Sequence, residues 1–431
     1  MAGETGKNSD SPDWYAAGLA HVWLPYAQMK TAALPLPVVR TQGSRIVLAD
    51  GRELIDGVAS WWTACHGYNQ PHIRHAVAKQ LKQMPHVMFG GLAHEGAFTL
   101  ARRLSALLPG DLSRVFFSES GSIAVEVALK MALQYWINAG RPTKTKFMAF
   151  KYGYHGDSQG AMSVSDPGIG MHDVFRGVLP QHATIDLGPE PVNDLRGLET
   201  YFERHATEYA GIIIEPLVQG AGGMIFRDAK VLRLLRRIAN EAEQILIFDE
   251  IFTGFGRTGA MFACEQAGVA PDIITLSKAL TGGTLPLAAT VATKRVFDAF
   301  WSDDPKKALM HGPTFMANAL ACAAANASLD LFEREPRLEQ VAAISAALSR
   351  DLEPCRAMPG VKDVRVKGAI GVVEMNAIDN LDALRARFVE EGAFVRPFGN
   401  IIYLTPAFTI APGELKTLTG AVVKVVRALK Q

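Results

Sequence analysis

The sequence has few cysteines, and their spacing predicts neither a metal site nor a disulfide framework. The four are Cys65, Cys264, Cys322 and Cys355, and no two of them form a CxxC pair. Zinc sites and disulfide-rich secreted folds both need closely spaced cysteines, so this spacing argues against both. We therefore expect no metal site, and free thiols that suit a reducing compartment.

Long apolar runs and an excess of charge are also missing. No stretch is long and apolar enough to cross a bilayer, and the polar start MAGETGKNSDSPDW lacks the apolar core of a secretory signal. The formal net charge of +1 gives no electrostatic reason to bind nucleic acid or a membrane surface. A content of 48% hydrophobic and 20% charged residues is typical of a globular enzyme. We expect a cytoplasmic enzyme for small molecules, with residues 1 to about 12 disordered.

Two short apolar runs in the middle of the chain lead into charged residues. Residues 245–248 lead into Asp249, and Ile273–Leu276 is followed one residue later by Lys278. Short β-branched runs bounded by glycine and proline predict buried strands of a parallel sheet. In open α/β sheets, ligands bind just past the carboxyl ends of the strands. A carboxylate and an amine should therefore meet at one edge of one sheet.

This pair of residues suits the chemistry of pyridoxal phosphate. The amine of Lys278 can form a Schiff base with the cofactor aldehyde, and Asp249 can keep the pyridine nitrogen protonated, so that the ring accepts electrons. Opposite charges ~4 Å apart attract by roughly 4 kcal/mol at an effective dielectric constant of about 20, before desolvation. That attraction is sufficient to hold a pyridinium ion charged at neutral pH.

Three other interpretations of the same stretch stay open on spacing alone. The run ILIFDE resembles a Walker B strand, but the chain has no GxxxxGK[ST] loop, which an ATPase would need. Residues 254–259 match GxGxxG, yet they do not directly follow their strand, and the helix after them is predicted to be short. Asp249 and Lys278 could also form a purely structural ion pair.

The order of the motifs favours one interpretation. A strand ending in DE, then GFGRTG, then a strand ending in SK before a glycine-rich turn resembles the class III pyridoxal phosphate aminotransferases. The resemblance extends from about Leu24 to the C-terminus. It implies an α/β fold of type I, like that of aspartate aminotransferase, with a mostly parallel large-domain sheet and a smaller α+β domain. It also implies pyridoxal 5'-phosphate as the cofactor and transamination as the reaction.

The resemblance assigns the cofactor contacts by position in the motifs. Lys278, Asp249 and Tyr154 are the expected catalytic residues, and all three also contact the cofactor, with the ring of Tyr154 stacked on the pyridine. Gly121 and Ser122 stand where the segment SES enters a long helix, and they are expected to cradle the phosphate. Helix N-termini bind anions through their free N–H groups.

A second loop is assigned to the partner subunit's cofactor by the same resemblance. Gly312, Pro313 and Thr314 match a family loop that reaches the cofactor phosphate across the dimer interface, so a homodimer with shared active sites is implied. Pro313 and Thr314 are expected to bind the cofactor, and Gly312 the substrate. Glu215 and Asp157 receive supporting roles near the cofactor.

Four further stretches, HVWLPYAQM, SWWTACHGYNQP, MHGPTFMANALACAAA and VRPFGNIIYLTPAF, resemble the members of this family that act in biotin biosynthesis. The implied acceptor has a long apolar chain that ends in a carboxylate. Tyr26, Trp61 and Trp62 would line its pocket. Neighbours on a strand face opposite ways, so at most one tryptophan should lie in the core. Arg396 would grip the carboxylate bidentately, whereas Arg257 has an equally good structural interpretation.

Several alternatives keep the central motif. Another class III ω-transaminase acting on diamines or ω-amino acids would retain Asp249 and Lys278, as would a decarboxylase or a mutase of the same fold. A pyridoxal phosphate-binding regulator would need a DNA-binding domain or a basic stripe, and the sequence shows neither.

The chain is predicted to divide into three parts. Residues 1–75 form an N-terminal segment of the small domain, residues 76–329 the large cofactor-binding domain, and residues 330–431 the C-terminal small domain. The first part contains a predicted β-meander with a hairpin turn at the pair DG, residues 50–51. The last part alternates amphipathic helices with strands, as an α+β domain does.

Overall fold

A computed structural model of the chain describes residues 12–169, 172–188 and 196–429. The disorder expected for residues 1 to about 12 concerns residues that lie outside this range, except for Pro12. Within these ranges, no helix is long and apolar enough to cross a membrane.

Helices and strands alternate through most of the chain. The α-helices are Asp13–Leu19, Pro71–Gln83, Glu95–Leu107, Gly121–Asn138, Gln159–Ser163, Arg196–His205, Ala229–Glu241, Lys294–Asp298, Ala319–Arg334, Arg337–Leu352, Leu381–Glu390 and Pro412–Ala428. The strands are Val38–Gln42, Arg45–Leu48, Glu53–Asp56, Leu112–Ser118, Lys146–Phe150, Ala183–Ile185, Tyr209–Ile214, Val218–Gln219, Ile225–Phe226, Ile245–Asp249, Ile273–Leu276, Ala288–Thr293, Val361–Lys367, Ile370–Met375, Ala393–Phe394 and Ile401–Leu404.

A seven-stranded sheet forms the centre of the molecule. Across the sheet, the strands lie in the order Leu112–Ser118, Ala288–Thr293, Ile273–Leu276, Ile245–Asp249, Tyr209–Ile214, Lys146–Phe150 and Ala183–Ile185. The last five run parallel to one another, whereas Ala288–Thr293 is antiparallel to both of its neighbours. The prediction of a mostly parallel sheet is therefore confirmed.

The two central strands were predicted correctly. Ile245–Asp249 and Ile273–Leu276 pair in parallel, and every residue in both is buried. Ile247 packs with Val125 of the helix on one face of the sheet, and Leu246 belongs to the core cluster on the other face with Leu235. Strands covered on both faces need continuous apolar runs, which explains why the pattern was readable from sequence.

The N-terminal and C-terminal parts of the chain share a small sheet. Val38–Gln42, Arg45–Leu48 and Glu53–Asp56 form the predicted antiparallel meander, and Ala393–Phe394 pairs in parallel with the third strand. The predicted turn is present, with Gly51 at a φ of 86°. The boundaries proposed after residues 75 and 329 stay a prediction.

The C-terminal part has the expected α+β character. Val361–Lys367, Ile370–Met375 and Ile401–Leu404 form an antiparallel sheet. Arg337–Leu352 and Pro412–Ala428 contribute buried leucines and valines to the same core. After Ala393–Phe394 the chain passes Arg396 and returns to the core as Ile401–Leu404, a strand of this antiparallel sheet.

The segment with two tryptophans is not the strand that the sequence suggested. Ala59, Ser60, Trp61 and Trp62 all have positive φ angles, of 46°, 47°, 51° and 75°. They form a left-handed turn in which the Trp62 amide donates to the Val58 carbonyl at 2.8 Å. The predicted strand was therefore wrong. The expectation that at most one of the two tryptophans lies in the core is confirmed, because Trp62 is 8% exposed and Trp61 is 41% exposed.

Candidate active site

A cavity of about 430 Å³ opens at the carboxyl edge of the central sheet. Asp249 and Lys278, which follow the two central strands, both line it, together with Tyr154, Gly121 and Ser122. The structure therefore brings together, in one place, the residues that the sequence assigned to the cofactor of one subunit. Their individual roles stay predictions.

Asp249 is buried, and both of its carboxylate oxygens have partners. Oδ2 lies 2.7 Å from Nδ1 of His155, and Oδ1 accepts hydrogen bonds from the Thr275 hydroxyl at 3.2 Å and the Ile251 amide at 3.1 Å. These bonds fix the carboxylate in one orientation. The partnership with His155 was missed from the sequence, although the motif YHG places this histidine beside Tyr154.

Lys278 occupies a strained position at the start of a 3-10 turn, with a φ of 37°. Its Nζ lies 5.1 Å from the centre of the Trp62 ring. Burial lowers the pKa of Lys278, while the charges of Asp249 and Glu215 oppose that effect. A lysine must lose its proton to act as a nucleophile or a base, so the lowered pKa suits both tasks.

Glu215 lines the cavity and binds two backbone amides beside it. Its two carboxylate oxygens accept hydrogen bonds from the Tyr154 amide at 3.0 Å and the Gly220 amide at 2.9 Å. Burial raises the pKa of Glu215 to about 7, and the nearby Asp249 adds to the rise. This contact positions the backbone of Tyr154, which fits the supporting role that was predicted.

A helix N-terminus supplies the anion cradle. The helix Gly121–Asn138 begins in the cavity wall, and its first N–H groups have no partners within the helix. The Ser122 hydroxyl lies 2.7 Å from the Ser158 hydroxyl. A Cβ added to Gly121 would lie 2.9 Å from Ile251, and one added to Gly156 would lie 2.4 Å from Ser122. Both positions therefore need glycine, which lets a phosphate approach the backbone closely.

These features fit pyridoxal phosphate. The cavity offers a partner for each part of the cofactor. The fixed carboxylate suits the protonated ring nitrogen, and the lysine amine suits the aldehyde. The aromatic ring suits the flat pyridine, and the helix N-terminus suits the phosphate.

A second cavity of about 570 Å³ adjoins the first and shares Asp157 with it. The Tyr154 hydroxyl donates to Asp157 at 3.0 Å, the Tyr26 hydroxyl donates to the other oxygen of the same carboxylate, and Nε2 of His172 lies 3.0 Å from it. The hydrogen bond from His172 is the main cause that lowers the pKa of Asp157. Asp157 therefore joins the two cavities, and His172 was missed because nothing in its sequence neighbourhood marks it.

Arg396 lies beside the outer cavity, against its aromatic wall. Its guanidinium carbon lies 5.5 Å from the centre of the Trp61 ring, whose edge meets Tyr26 at a centroid distance of 6.2 Å. Partial burial lowers the pKa of Arg396. Among the described residues Arg396 forms no ion pair, whereas the neighbouring Arg385 is paired with Asp382 at 2.7 Å. Its cationic head is therefore free to bind a substrate carboxylate.

The loop 312–314 and Arg257 lie away from these cavities. Gly312, Pro313 and Thr314 line neither of them, and the Thr314 carbonyl instead accepts from Nε2 of His86 at 3.1 Å. A loop that serves the partner's site need not reach its own, so this assignment stays a prediction. Arg257 is buried and donates to the carbonyls of Pro406 and Ala369 at 2.8 and 3.3 Å, which is a structural role.

Comparison with known proteins adds to this geometry. Residues 26–426 match the family described as aminotransferase class-III. An adenosylmethionine-8-amino-7-oxononanoate aminotransferase of Buchnera aphidicola is 42% identical over 411 residues, which cover 93% of this chain and 95% of that protein.

Solved structures are similar over almost the whole chain. The adenosylmethionine-8-amino-7-oxononanoate aminotransferase of Methanocaldococcus jannaschii has a TM-score of 0.90 at 32% identity, covering 96% of this chain and 98% of its own. An amine transaminase from an uncultivated Pseudomonas species, solved with pyridoxal phosphate bound, has a TM-score of 0.86 at 33% identity and covers 95% and 98%.

Proposed function

This chain belongs to the class III aminotransferase family, and we propose that it transfers the amino group of S-adenosylmethionine to 8-amino-7-oxononanoate. The product is 7,8-diaminononanoate, an intermediate of biotin biosynthesis. The observation that carries this choice is Arg396, a partly buried cation with no ion pair among the described residues, on the aromatic wall beyond the cofactor cavity. The names of the similar proteins support the same substrates.

As a member of this family, the enzyme is a pyridoxal phosphate-dependent aminotransferase. When bound, the cofactor supplies a ring that withdraws electrons from the carbon that carries the amino group. Lys278 would hold its aldehyde, and Asp249, oriented by His155, would face the ring nitrogen. Gly121 and Ser122 would hold the phosphate at the helix N-terminus.

Lys278 also moves protons. With its lowered pKa, Nζ takes up the proton of the donor's α-carbon and later returns a proton to the former carbonyl carbon of the acceptor. General acid–base catalysis of this kind contributes about 10²–10⁴-fold to a rate. The ring of Trp62 against this amine keeps water away from it.

The outer cavity would receive the acceptor's chain. Trp61 and Tyr26 form an apolar wall, and Arg396 at that wall would grip the terminal carboxylate through two parallel hydrogen bonds. A long apolar chain with a carboxylate at its far end fits this order of an amine, an aromatic wall and a cation.

A homodimer with shared active sites is part of the proposal. Met88, Phe98, Met310 and Phe315 are large apolar side chains that are exposed in the single chain. Met310 and Phe315 flank the loop 312–314 in the chain, and Nε2 of His86, two residues before Met88, lies 3.1 Å from the Thr314 carbonyl. Exposed apolar patches of this kind mark protein interfaces. The loop would then reach the partner's cofactor phosphate through Pro313 and Thr314, and the partner's substrate through Gly312.

We also propose a cytoplasmic location. All four cysteines are buried and free of disulfides, as is usual for proteins in a reducing compartment.

Another class III ω-transaminase, acting on diamines or ω-amino acids, is the second candidate. The likeness of the fold to an amine transaminase supports it. The two candidates differ in whether Arg396 must bind the acceptor's carboxylate.

Replacing Arg396 by leucine tests this difference. The variant should lose roughly ten- to a hundredfold in kcat/KM for 8-amino-7-oxononanoate, because a charge-assisted hydrogen bond contributes about 1.5–3 kcal/mol. An analogue with the same amino ketone and apolar chain but without the carboxylate never uses the contact, so its kcat/KM should change little. Steady-state kinetics with both acceptors measures the difference.

Arg385→Leu is the matched control, since this neighbouring arginine is already paired with Asp382 and bonded to the Pro397 carbonyl at 3.0 Å. It should lower the melting temperature and leave the ratio of the two acceptors unchanged. An equal loss on both acceptors in Arg396→Leu would show that Arg396 serves the fold, and would favour the ω-transaminase.

A further inference from the structure

The left-handed turn of residues 59–62 positions two aromatic rings of the site, those of Trp61 and Trp62. The ring of Trp62 faces Nζ of Lys278 at 5.1 Å, and the ring of Trp61 faces the guanidinium of Arg396 at 5.5 Å. One short piece of backbone therefore sets the aromatic surface both beside the catalytic amine and beside the proposed carboxylate clamp.

This backbone conformation is unfavourable for its residues. None of the four is glycine, and all of them have positive φ. In L-residues the left-handed helical conformation brings Cβ too close to the following carbonyl oxygen. Such a turn persists only where its surroundings hold it, and strain of this kind gathers at functional sites.

The carboxylate of Asp56 is the main contact that holds the turn. It is 2% exposed, and it accepts hydrogen bonds from the Val58 amide at 2.8 Å, the Ser60 amide at 2.9 Å and the Tyr68 hydroxyl at 2.5 Å. Because a carboxylate only accepts, the Tyr68 proton points to Asp56, and the Ser60 hydroxyl then donates to the Tyr68 oxygen. Two side chains thus fix the first half of the turn.

Both holding residues are anchored to the small sheet. The backbone of Tyr68 exchanges hydrogen bonds with Gly43 at 2.7 and 3.1 Å. Asp56 is the last residue of the strand that pairs with Ala393–Phe394. The Gly57 amide donates to the carbonyl of Phe394 at 2.9 Å, and Phe394 precedes Arg396 by two residues. The tryptophans and the clamp are therefore positioned from the same pair of strands.

We propose that Asp56 and Tyr68 are positioning residues that keep Trp61 and Trp62 in their left-handed turn and so set the preference for a long-chain acceptor. The choice of acceptor rests on the proposed function, whereas the holding of the turn does not. Neither residue lines the two cavities, so each acts only through the tryptophans.

The test is the substitution Asp56→Asn. Asparagine has the same shape as aspartate, but its NH2 group would face the Val58 or Ser60 amide or the Tyr68 hydroxyl, which are themselves donors. KM for 8-amino-7-oxononanoate should rise about tenfold, because a displaced turn takes the Trp61 ring away from the apolar chain of the acceptor, with less than about a twofold change for a short ketone. Tyr68→Phe removes a single hydroxyl and should show the same pattern at about threefold. This milder variant keeps the test available if Asp56→Asn does not fold.

Glycine rescue separates positioning from general stability. Glycine adopts positive φ without steric cost, so Ala59→Gly added to Asp56→Asn should restore KM. The near-ultraviolet circular dichroism of the cofactor-free protein should follow the same course, because Trp62 and Phe252 pack at a centroid distance of 4.1 Å. A purely structural role predicts that added glycine changes the melting temperature alone and leaves the KM values for both acceptors as they are in Asp56→Asn.

Asp272→Asn is the matched control. Asp272 is also buried and accepts a backbone amide, that of Leu246 at 2.9 Å, but it lies at the opposite edge of the central sheet. It should lower stability without changing acceptor preference. Absence of rescue by glycine, or an equal rise in KM for both acceptors, would overturn the inference. If the wild type does not use 8-amino-7-oxononanoate, the proposed function fails, and the circular dichroism, which needs no acceptor, still decides the inference.

Discussion

Replacing Lys278 by alanine will reduce turnover by at least ~10²–10⁴-fold, the contribution of general acid–base catalysis alone, and will leave the fold intact. Lys278 follows a fully buried strand, with only Ser277 between them, and lines the cavity with Asp249. The variant loses both the group that would hold the cofactor covalently and the group that moves the proton. Turnover is measured by chromatography of the amine product, and folding by circular dichroism.

Borohydride reduction followed by peptide mapping identifies the lysine that binds the cofactor. The modified peptide should contain Lys278, and modification of a different lysine would contradict the assignment. Lys144→Ala is the matched control: burial lowers the pKa of Lys144 to about 8, and its Nζ lies over the Trp136 ring at 4.0 Å, outside both cavities. This variant should keep its turnover.

Asp249→Asn should slow the proton transfer step roughly 10²–10³-fold, the loss typical when one preorganised electrostatic partner is removed. An amide cannot keep the ring nitrogen protonated, so the ring accepts electrons less well. Binding of the cofactor should largely remain, because the helix N-terminus and Lys278 are untouched. Single-turnover absorbance with the amino donor measures the step directly.

The control for Asp249 is again Asp272→Asn, a buried aspartate at the other end of the same two strands, which should change stability and not the single-turnover rate. A near-normal single-turnover rate in Asp249→Asn would count against Asp249 as the partner of the ring nitrogen.

The central strands and the place of the site could be predicted from the sequence for a physical reason. Strands buried on both faces must be apolar throughout, so Ile245–Asp249 and Ile273–Leu276 stand out without an alignment. Neighbouring parallel strands end at the same edge of the sheet, so the pairing of these two strands by itself brings Asp249 and Lys278 together.

The contacts that orient the site residues could not be predicted in this way. His155 and Asp249 meet across 94 positions of sequence, and no periodic pattern carries that information. The turn at Trp61 and Trp62 is held by Asp56, so its conformation depends on tertiary contacts and not on local preference. The loop 312–314 would act in a second subunit, which one chain cannot show.

In the proposed reaction, nitrogen passes from S-adenosylmethionine to 8-amino-7-oxononanoate. The most direct test incubates the purified protein, with pyridoxal phosphate, with unlabelled 8-amino-7-oxononanoate and S-adenosylmethionine whose α-amino group carries heavy nitrogen. Mass spectrometry should find 7,8-diaminononanoate with a single heavy nitrogen atom, and no such product should form with Lys278→Ala. Formation of no labelled diamine, together with turnover of diamines or ω-amino acids as donors, would contradict this transfer and favour the ω-transaminase.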